Sequence, residues 1–467
     1  MGNIFDYDDE CGHQWDQADK LAEEAFGLYE DGQMQQAFEK LTQAVQTGSE
    51  NGAWFFNMGL ALDGMERYDE AIEYFEKALE LLADDVEVMN CLGVDYTRTA
   101  QYDRALAIFE RIEQVDPQFE PAYCNRIITY TEMEQHEKAE QMFYLAQQIR
   151  TDCPLCFYNI GNSLFSRGSY ERAIWCWEKT AELDAAHPQI HLRLAQAYWV
   201  CGKGKQARQE FLRELRNTPT DSDVLLDFGV FLLESGDIEA AKEKFNRILE
   251  FDAEFSAARF YLGEVHRLRG ETAAAMRQYY AAMTEDEKLV GPRYRLAELL
   301  RQQGQTSMAL DLLQEECTLG VQDVDVLIAM GKMFLQMNDW PSATQCFLQT
   351  LDMERQEPRA FSGLGVALAL RGEEAAGLQC LEQALRLNDE DAVSLLSAAW
   401  ICCRMTEWDA AAKYTARSRA IHGVYEPYRS ACRMVEKEIK TGQFSQRWPI
   451  LERVRQFCRR KKQAASL

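Results

Sequence analysis

The sequence predicts an all-α solenoid, a stack of helix pairs that takes up nearly the whole chain. Three observations carry this reading. A 34-residue period holds without insertion or deletion from residue 18 to residue 425. Small residues return at one fixed column in each half of that period, and glycines return at a third column between them. The 467 residues therefore divide into an acidic N-terminal segment (1–17), twelve tandem units (18–425) and a C-terminal capping region with a basic tail (426–467).

The first half of each unit reads as one helix. Its small column is Ala25, Gly59, Gly93, Ile127, Gly161, Ala195, Gly229, Gly263, Ala297, Gly331, Gly365 and Ala399, so eleven of twelve are Gly or Ala. In unit 52–85, Phe55, Met58, Gly59 and Leu62 follow helical spacing and define one apolar face. The second half reads as another helix, with Ala71, Phe75, Ala78 and Leu79 on its inner side. Its small column is Ala from Ala37 to Ala343, then Gly377 and Ala411. Four residues later comes a large column that includes Phe75, Phe109, Phe143, Trp177, Phe211, Phe245, Tyr279 and Phe347. Small residues facing one another let the two helices approach, and the large residue fills the space beside the contact. A lone pair cannot bury both of its faces, so units must stack.

The turns are legible too. Gly32, Gly168, Gly202, Gly236, Gly270, Gly304 and Gly372 share the column where the first helix must end, a position that calls for left-handed backbone. Pro117 and Pro219 fall between units, Pro121, Pro154, Pro188, Pro292, Pro358 and Pro427 open first helices, and Pro341 opens a second. A first-turn proline sacrifices no hydrogen bond.

This pattern resembles the tetratricopeptide repeat family, whose signature is W-x2-L-G-x2-Y-x8-A-x3-F-x2-A-x4-P. Unit 86–119 carries it in Leu92, Gly93, Tyr96, Ala105, Phe109 and Pro117. Unit 120–153 keeps Tyr123, Tyr130, Ala139, Phe143 and Ala146 but places Ile127 at the small column. The last unit departs further, with Cys402 and Thr415 at large columns, as terminal units of arrays do. The resemblance implies a right-handed superhelix of helix-turn-helix repeats whose first helices line a concave wall.

Charge narrows the ligand class. With 50 Lys and Arg against 76 Asp and Glu, the chain carries a net charge of −26, which repels phosphate backbones and makes nucleic acid an unlikely main partner. The ends differ: residues 1–82 hold 4 basic against 19 acidic side chains, and residues 413–467 hold 14 against 4. The tail reads as a helix following Pro427, then an amphipathic helix with Trp448, Leu451, Val454 and Phe457 on one side. Its cluster of Arg453, Arg455, Arg459, Arg460, Lys461 and Lys462 is either a solvated cap or a contact for an acidic partner, RNA or membrane. No apolar run reaches the ~18–20 residues of a transmembrane span, and no secretory signal opens the chain. Fourteen cysteines without a short secreted framework point to reduced thiols and a cytoplasmic location.

Catalytic chemistry is not expected. No H-E-x-x-H, G-x-S-x-G, P-loop or EF-hand motif occurs. His191 and His266 stand in apolar columns and read as packing residues. The one Cys-x-x-Cys, Cys153-Pro154-Leu155-Cys156, straddles a helix start but has no second Cys or His cluster nearby in sequence. No metal and no cofactor is therefore expected.

A ligand would lie on the exposed positions of the first helices. There the chain offers Asn57, Asn90, Asn125, Tyr158, Asn159, Asn162, Gln196 and Trp199, then Phe260, Arg267, Tyr294, Arg301 and Lys332. Amides both donate and accept, so a row of them can hold the backbone of an extended peptide whatever its sequence, or can simply bind water. The later residues mix aromatics with Arg, which suits an acidic peptide segment, or pairs with the wall's own Glu264 and Glu298. A co-chaperone carboxylate clamp is not supported, because the fifth and ninth positions of the early units are Phe56/Leu60, Asn90/Val94 and Cys124/Ile128. The expectation is a non-enzymatic scaffold for a protein or peptide partner, with a tail-borne association with nucleic acid or membrane as the alternative.

Overall fold

The computed structural model describes residues 8–47, 51–422 and 426–441. Among these it holds twenty-five helices and no strand. The 34-residue register is visible in the helix starts: the twelve second helices begin at Met34, Tyr68, Tyr102, His136 and onward in steps of 34 to Trp408. Most first helices keep the same step, at Gly52, Val86, Glu120, Pro154, Ser222, Ser256, Val324, Pro358 and Ala392. Two start late. Pro188, expected to open a helix, lies in a turn before helix Ile190–Val200, because Gln189 takes left-handed backbone at φ 59°. Likewise Gly291, at φ 114°, cannot join helix Pro292–Gln302.

The chain divides into two units, Met1–Val224 and Leu225–Leu467. Each has its own apolar interior. In the first, Leu62, Phe75, Met89, Leu92, Tyr96 and Phe109 form one cluster. In the second, Tyr279, Leu296, Met330, Phe334 and Phe347 do the same.

The packing rule differs in detail from the expectation of small residue against small residue. The glycine of the first helix is covered by the large side chain of the second. A Cβ at Gly93 would lie 2.6 Å from the Phe109 ring, at Gly161 2.4 Å from Trp177 and at Gly263 2.4 Å from Tyr279. Only Gly365 also meets backbone across the pair, at the carbonyl of Gly377. The glycine thus makes a socket for the ring, and each fully buried ring contributes about 1.5–3 kcal/mol through burial.

Ile127 shows the rule by breaking it. Its side chain is fully buried in the socket, and Phe143, which should fill that space, is only half-buried. The displaced ring packs edge-on against Phe157 instead, with centroids 5.4 Å apart.

The turn column holds in all twelve units. Its seven glycines have φ between 70° and 92°, and its other members, Glu66, Ala100, Glu134, Asn338 and Thr406, are also left-handed. The register therefore imposes the conformation even where a side chain opposes it. After the last unit, helix Glu426–Thr441 packs Val435 into one cluster with Ala399, Cys402, Cys403 and Ala411, and its Ala431 and Cys432 are buried too. Small residues at the degenerate columns suit this lid, and Thr415 satisfies its buried hydroxyl by donating to the Ala411 carbonyl at 2.7 Å. The basic cluster Arg453–Lys462 lies outside the described residues. No described helix is long and apolar enough to cross a membrane.

Candidate functional site

In unit Met1–Val224 the first helices present a row of amides and aromatics. Asn57, Asn90, Asn125, Asn162, Gln196, Tyr158 and Trp199 are all half-buried. Asn125 Nδ2 donates to Asn90 Oδ1 at 2.9 Å, linking helices Val86–Arg98 and Glu120–Glu132. Asn57 and Asn162 make no side-chain hydrogen bond among the described residues. Asn159 stands apart from the row: it is buried, and its Nδ2 lies 3.4 Å from the Cys124 carbonyl. Beside the amides, the Tyr158 ring lies tilted against His187 with centroids 4.3 Å apart, and Arg193 Nε donates to the Tyr158 hydroxyl at 3.5 Å.

A carboxylate pair sits on the same helices. Asp95 is 1% exposed and its Oδ2 has no partner among the described residues. Arg98 bridges Asp63 and Asp95. Burial, then the Asp63 charge, push the Asp95 carboxyl up to about 7, against the opposing pull of Arg98.

The corresponding helices of unit Leu225–Leu467 are arranged differently. Glu264 is 7% exposed, and three donors converge on it. Arg267 Nη2 is 2.7 Å from Oε2, Arg295 Nε is 3.0 Å from Oε1, and the Tyr279 hydroxyl donates to Oε1. Burial alone would push the Glu264 carboxyl up, but the hydrogen bond from Arg267, with Arg295 and Tyr279, holds it below the usual carboxylate range. Arg295 also reaches Glu298 at 3.5 Å. Phe260 packs against Tyr261 and Tyr279, and Tyr294 is buried. Arg301 and Lys332 are half-buried and have partners within the fold. Of the two readings of this stretch, pairing within the wall accounts for Arg267 and Arg295.

His191 and His266 are half-buried in the stack, and each also meets a carboxylate. His191 Nδ1 is 2.8 Å from Glu210 Oε2, and His266 Nδ1 is 2.5 Å from Glu271 Oε2.

The premise that Cys153-Pro154-Leu155-Cys156 has no partner cluster is corrected by the fold. Helix Glu120–Glu132 places Glu120 and Cys124, one turn apart, against the start of helix Pro154–Ser166. Cys124 and Cys156 are joined as a disulfide, so not every thiol is reduced. Cys153 Sγ lies 3.8 Å from Cys124 Sγ, and Glu120 Oε1 lies 2.8 Å from Cys124 Sγ and 2.9 Å from Cys156 Sγ. All three cysteines are buried. Burial, then hydrogen bonding to Glu120, push the Cys153 thiol up to about 11, so it is a poor nucleophile at neutral pH. The cluster escapes a linear reading because its members come from two repeats. The one available signal is that Cys124 stands one unit before the motif, on a helix face that must meet the next first helix.

Models of tetratricopeptide repeats match residues 53–85, 161–200, 226–288 and 328–392, and a model of YpiA-like, C-terminal tetratricopeptide repeats matches residues 188–253. The TPR repeat-containing protein YpiA of Bacillus subtilis is 22% identical over 253 residues, covering 54% of this chain and 59% of that protein. The human protein O-mannosyl-transferase TMTC3 is 21% identical over 44% of this chain, which spans 24% of the transferase. Among solved structures, the APC/C hetero-tetramer Cut9-Hcn1 aligns over 90% of this chain and 96% of its own, at 16% identity and a TM-score of 0.42. With the unbroken register of helix pairs, the repeated sockets and the matches to repeat models, the chain belongs to the tetratricopeptide repeat family.

Proposed function

We propose that this chain is a non-enzymatic scaffold that holds an extended peptide or protein segment on the first-helix face of unit Met1–Val224. Tetratricopeptide repeats generally mediate protein–protein interaction. The observation that carries the finer reading is the amide row: Asn57, Asn90, Asn125 and Asn162 stand half-exposed on successive first helices, with donors and acceptors left over after the Asn90–Asn125 bond. An extended chain has the same need, one N–H and one C=O per residue, and Tyr158, Gln196 and Trp199 supply apolar and polar edges beside the row. In the second unit, Phe260, Arg267, Tyr294, Arg301 and Lys332 act as part of the scaffold, since Arg267 is already spent on Glu264. Ten described cysteines are free thiols, which supports a cytoplasmic site of action.

The test is to pan a random peptide library against the full chain and measure the affinity of recovered peptides. Changing Asn57, Asn90, Asn125 and Asn162 together to Ala should weaken binding by about thirtyfold or more, at about 0.5–1.5 kcal/mol per hydrogen bond. Undiminished affinity would overturn the reading.

A further inference from the structure

We propose that Glu120, Cys124, Cys153 and Cys156 form a binding site for a thiophilic divalent cation of the zinc class, open when the Cys124–Cys156 bridge is reduced. This inference is independent of the peptide-binding reading. The four ligand atoms lie within 4.8 Å of one another, and the three cysteines are buried in a chain whose other described cysteines form no such group with a carboxylate.

The geometry suits tetrahedral coordination. Zinc–thiolate bonds of about 2.3 Å put two sulfurs on a tetrahedral edge of about 3.8 Å. Cys124 Sγ and Cys153 Sγ are already 3.8 Å apart. The position of Glu120 points the same way. Its carboxylate oxygen sits 2.8 and 2.9 Å from the two bridged sulfurs, within reach of whatever they bind once separated. Reduction opens the bridge and leaves the carboxylate beside two thiols, so three thiolates with one carboxylate supply the four donors of a tetrahedral set.

The helix start places and orients two of the ligands. Cys153 is the N-cap of helix Pro154–Ser166 and Cys156 lies in its first turn, where the helix dipole stabilises thiolate. The Cys156 N–H points to Cys153 Sγ at 3.4 Å, the kind of backbone donor that orients a metal thiolate.

Loading proceeds in two balanced steps. A dithiol reductant gives two electrons and two protons to the Cys124–Cys156 bond, which opens to two thiols while the reductant closes to its own disulfide. The cation then takes three thiolates and the Glu120 carboxylate, and three protons leave to solvent. A disulfide oxidant reverses this: Cys124 and Cys156 thiolates give it two electrons and re-form their bridge, it becomes two thiols with two protons from solvent, Cys153 takes a third proton and the cation leaves, so the site couples metal occupancy to redox state. Because its ligands belong to two consecutive repeats, the cation would staple helix Glu120–Glu132 to helix Pro154–Ser166.

The experiment is a Co²⁺ titration of the full chain after treatment with a dithiol reductant and its anaerobic removal. The reduced protein should take up one Co²⁺ with thiolate–cobalt charge-transfer absorption, and Zn²⁺ should displace it. Cys153→Ser separates the two chemistries, because it keeps both bridge-forming cysteines yet should lower affinity beyond the roughly 10–100-fold typical of outer-shell changes. Glu120→Gln is the second variant, expected to lose affinity in the same direction, and far-UV circular dichroism checks that both fold. The oxidised protein should bind none. The proposal fails if the reduced protein shows no charge-transfer band, if Cys153→Ser and Glu120→Gln leave the band and affinity unchanged, or if the oxidised protein binds equally well.

Discussion

The two units share one repeat and one packing rule but use their first helices in opposite ways. In Met1–Val224 the face carries amides with hydrogen-bonding capacity left over, and one buried carboxyl, Asp95, is under-paired. In Leu225–Leu467 a buried carboxylate, Glu264, gathers Arg267, Arg295 and Tyr279. The lesson is that a charge on a repeat surface counts for binding only after the wall's own pairing is subtracted. Arginine at the sixth and twelfth positions of a unit looks like a grip for an acidic peptide until a glutamate at the ninth turns inward to meet it.

This contrast can be broken by mutation. The largest effect should come from Glu264→Leu, which strands two arginines around an apolar side chain. Breaking a buried pair by removing one partner costs about 3–5 kcal/mol, and a urea titration of the full chain should show it. Asn125→Ala in the other unit removes one part-exposed bond and should cost about 0.5–1.5 kcal/mol. Comparable losses would mean that the two faces are not different in kind.

Socket substitutions test the rule both units share. Gly161→Ala and Gly263→Ala each put a methyl 2.4 Å from a ring. Each should destabilise by about 1–3 kcal/mol through overpacking, with near equality expected because the environment repeats.

The pH dependence sharpens the contrast through its sign. Asp95 is pushed up to about 7, so its folded form keeps a proton that the unfolded chain gives up near pH 4. Its contribution to stability is full below pH 4 and is lost as pH rises toward about 7. Glu264 is held low, so its contribution is present above the unfolded value and lost as pH falls through the folded one. Asp95→Asn should flatten the pH 4–7 segment of the stability curve, and Glu264→Gln should flatten only the acid limb. A small effect of opposite sign belongs to the turns. Thr406, left-handed at φ 61°, should gain about 1 kcal/mol on change to Gly.

Much of the fold could be read because a solenoid is local: each helix meets only its neighbours, so columns in sequence become layers in space. The turn glycines mark left-handed sites, and Ile127 stands out as the lone bulky member of a small column. What could not be read was which way each surface side chain turns. Asn159 shares a column with Asn57 and Asn125 yet points into the stack toward Cys124. The socket ring lies on the glycine rather than beside it, a detail of rotamer that periodicity does not carry. The cysteine cluster combines two repeats through the packing of Cys124 on the start of the next helix, a contact that a scan along one motif misses.

A bound segment should lie along the first helices of the amide-bearing repeats. Hydrogen–deuterium exchange of the full chain, with and without a peptide recovered by panning, tests this most directly. The expected result is added protection in helices Gly52–Asp63, Val86–Arg98, Glu120–Glu132 and Pro154–Ser166, with the second helices of those repeats and residues 256–302 unchanged. Protection confined to the second helices, or to the Arg267–Arg295 region, would contradict it.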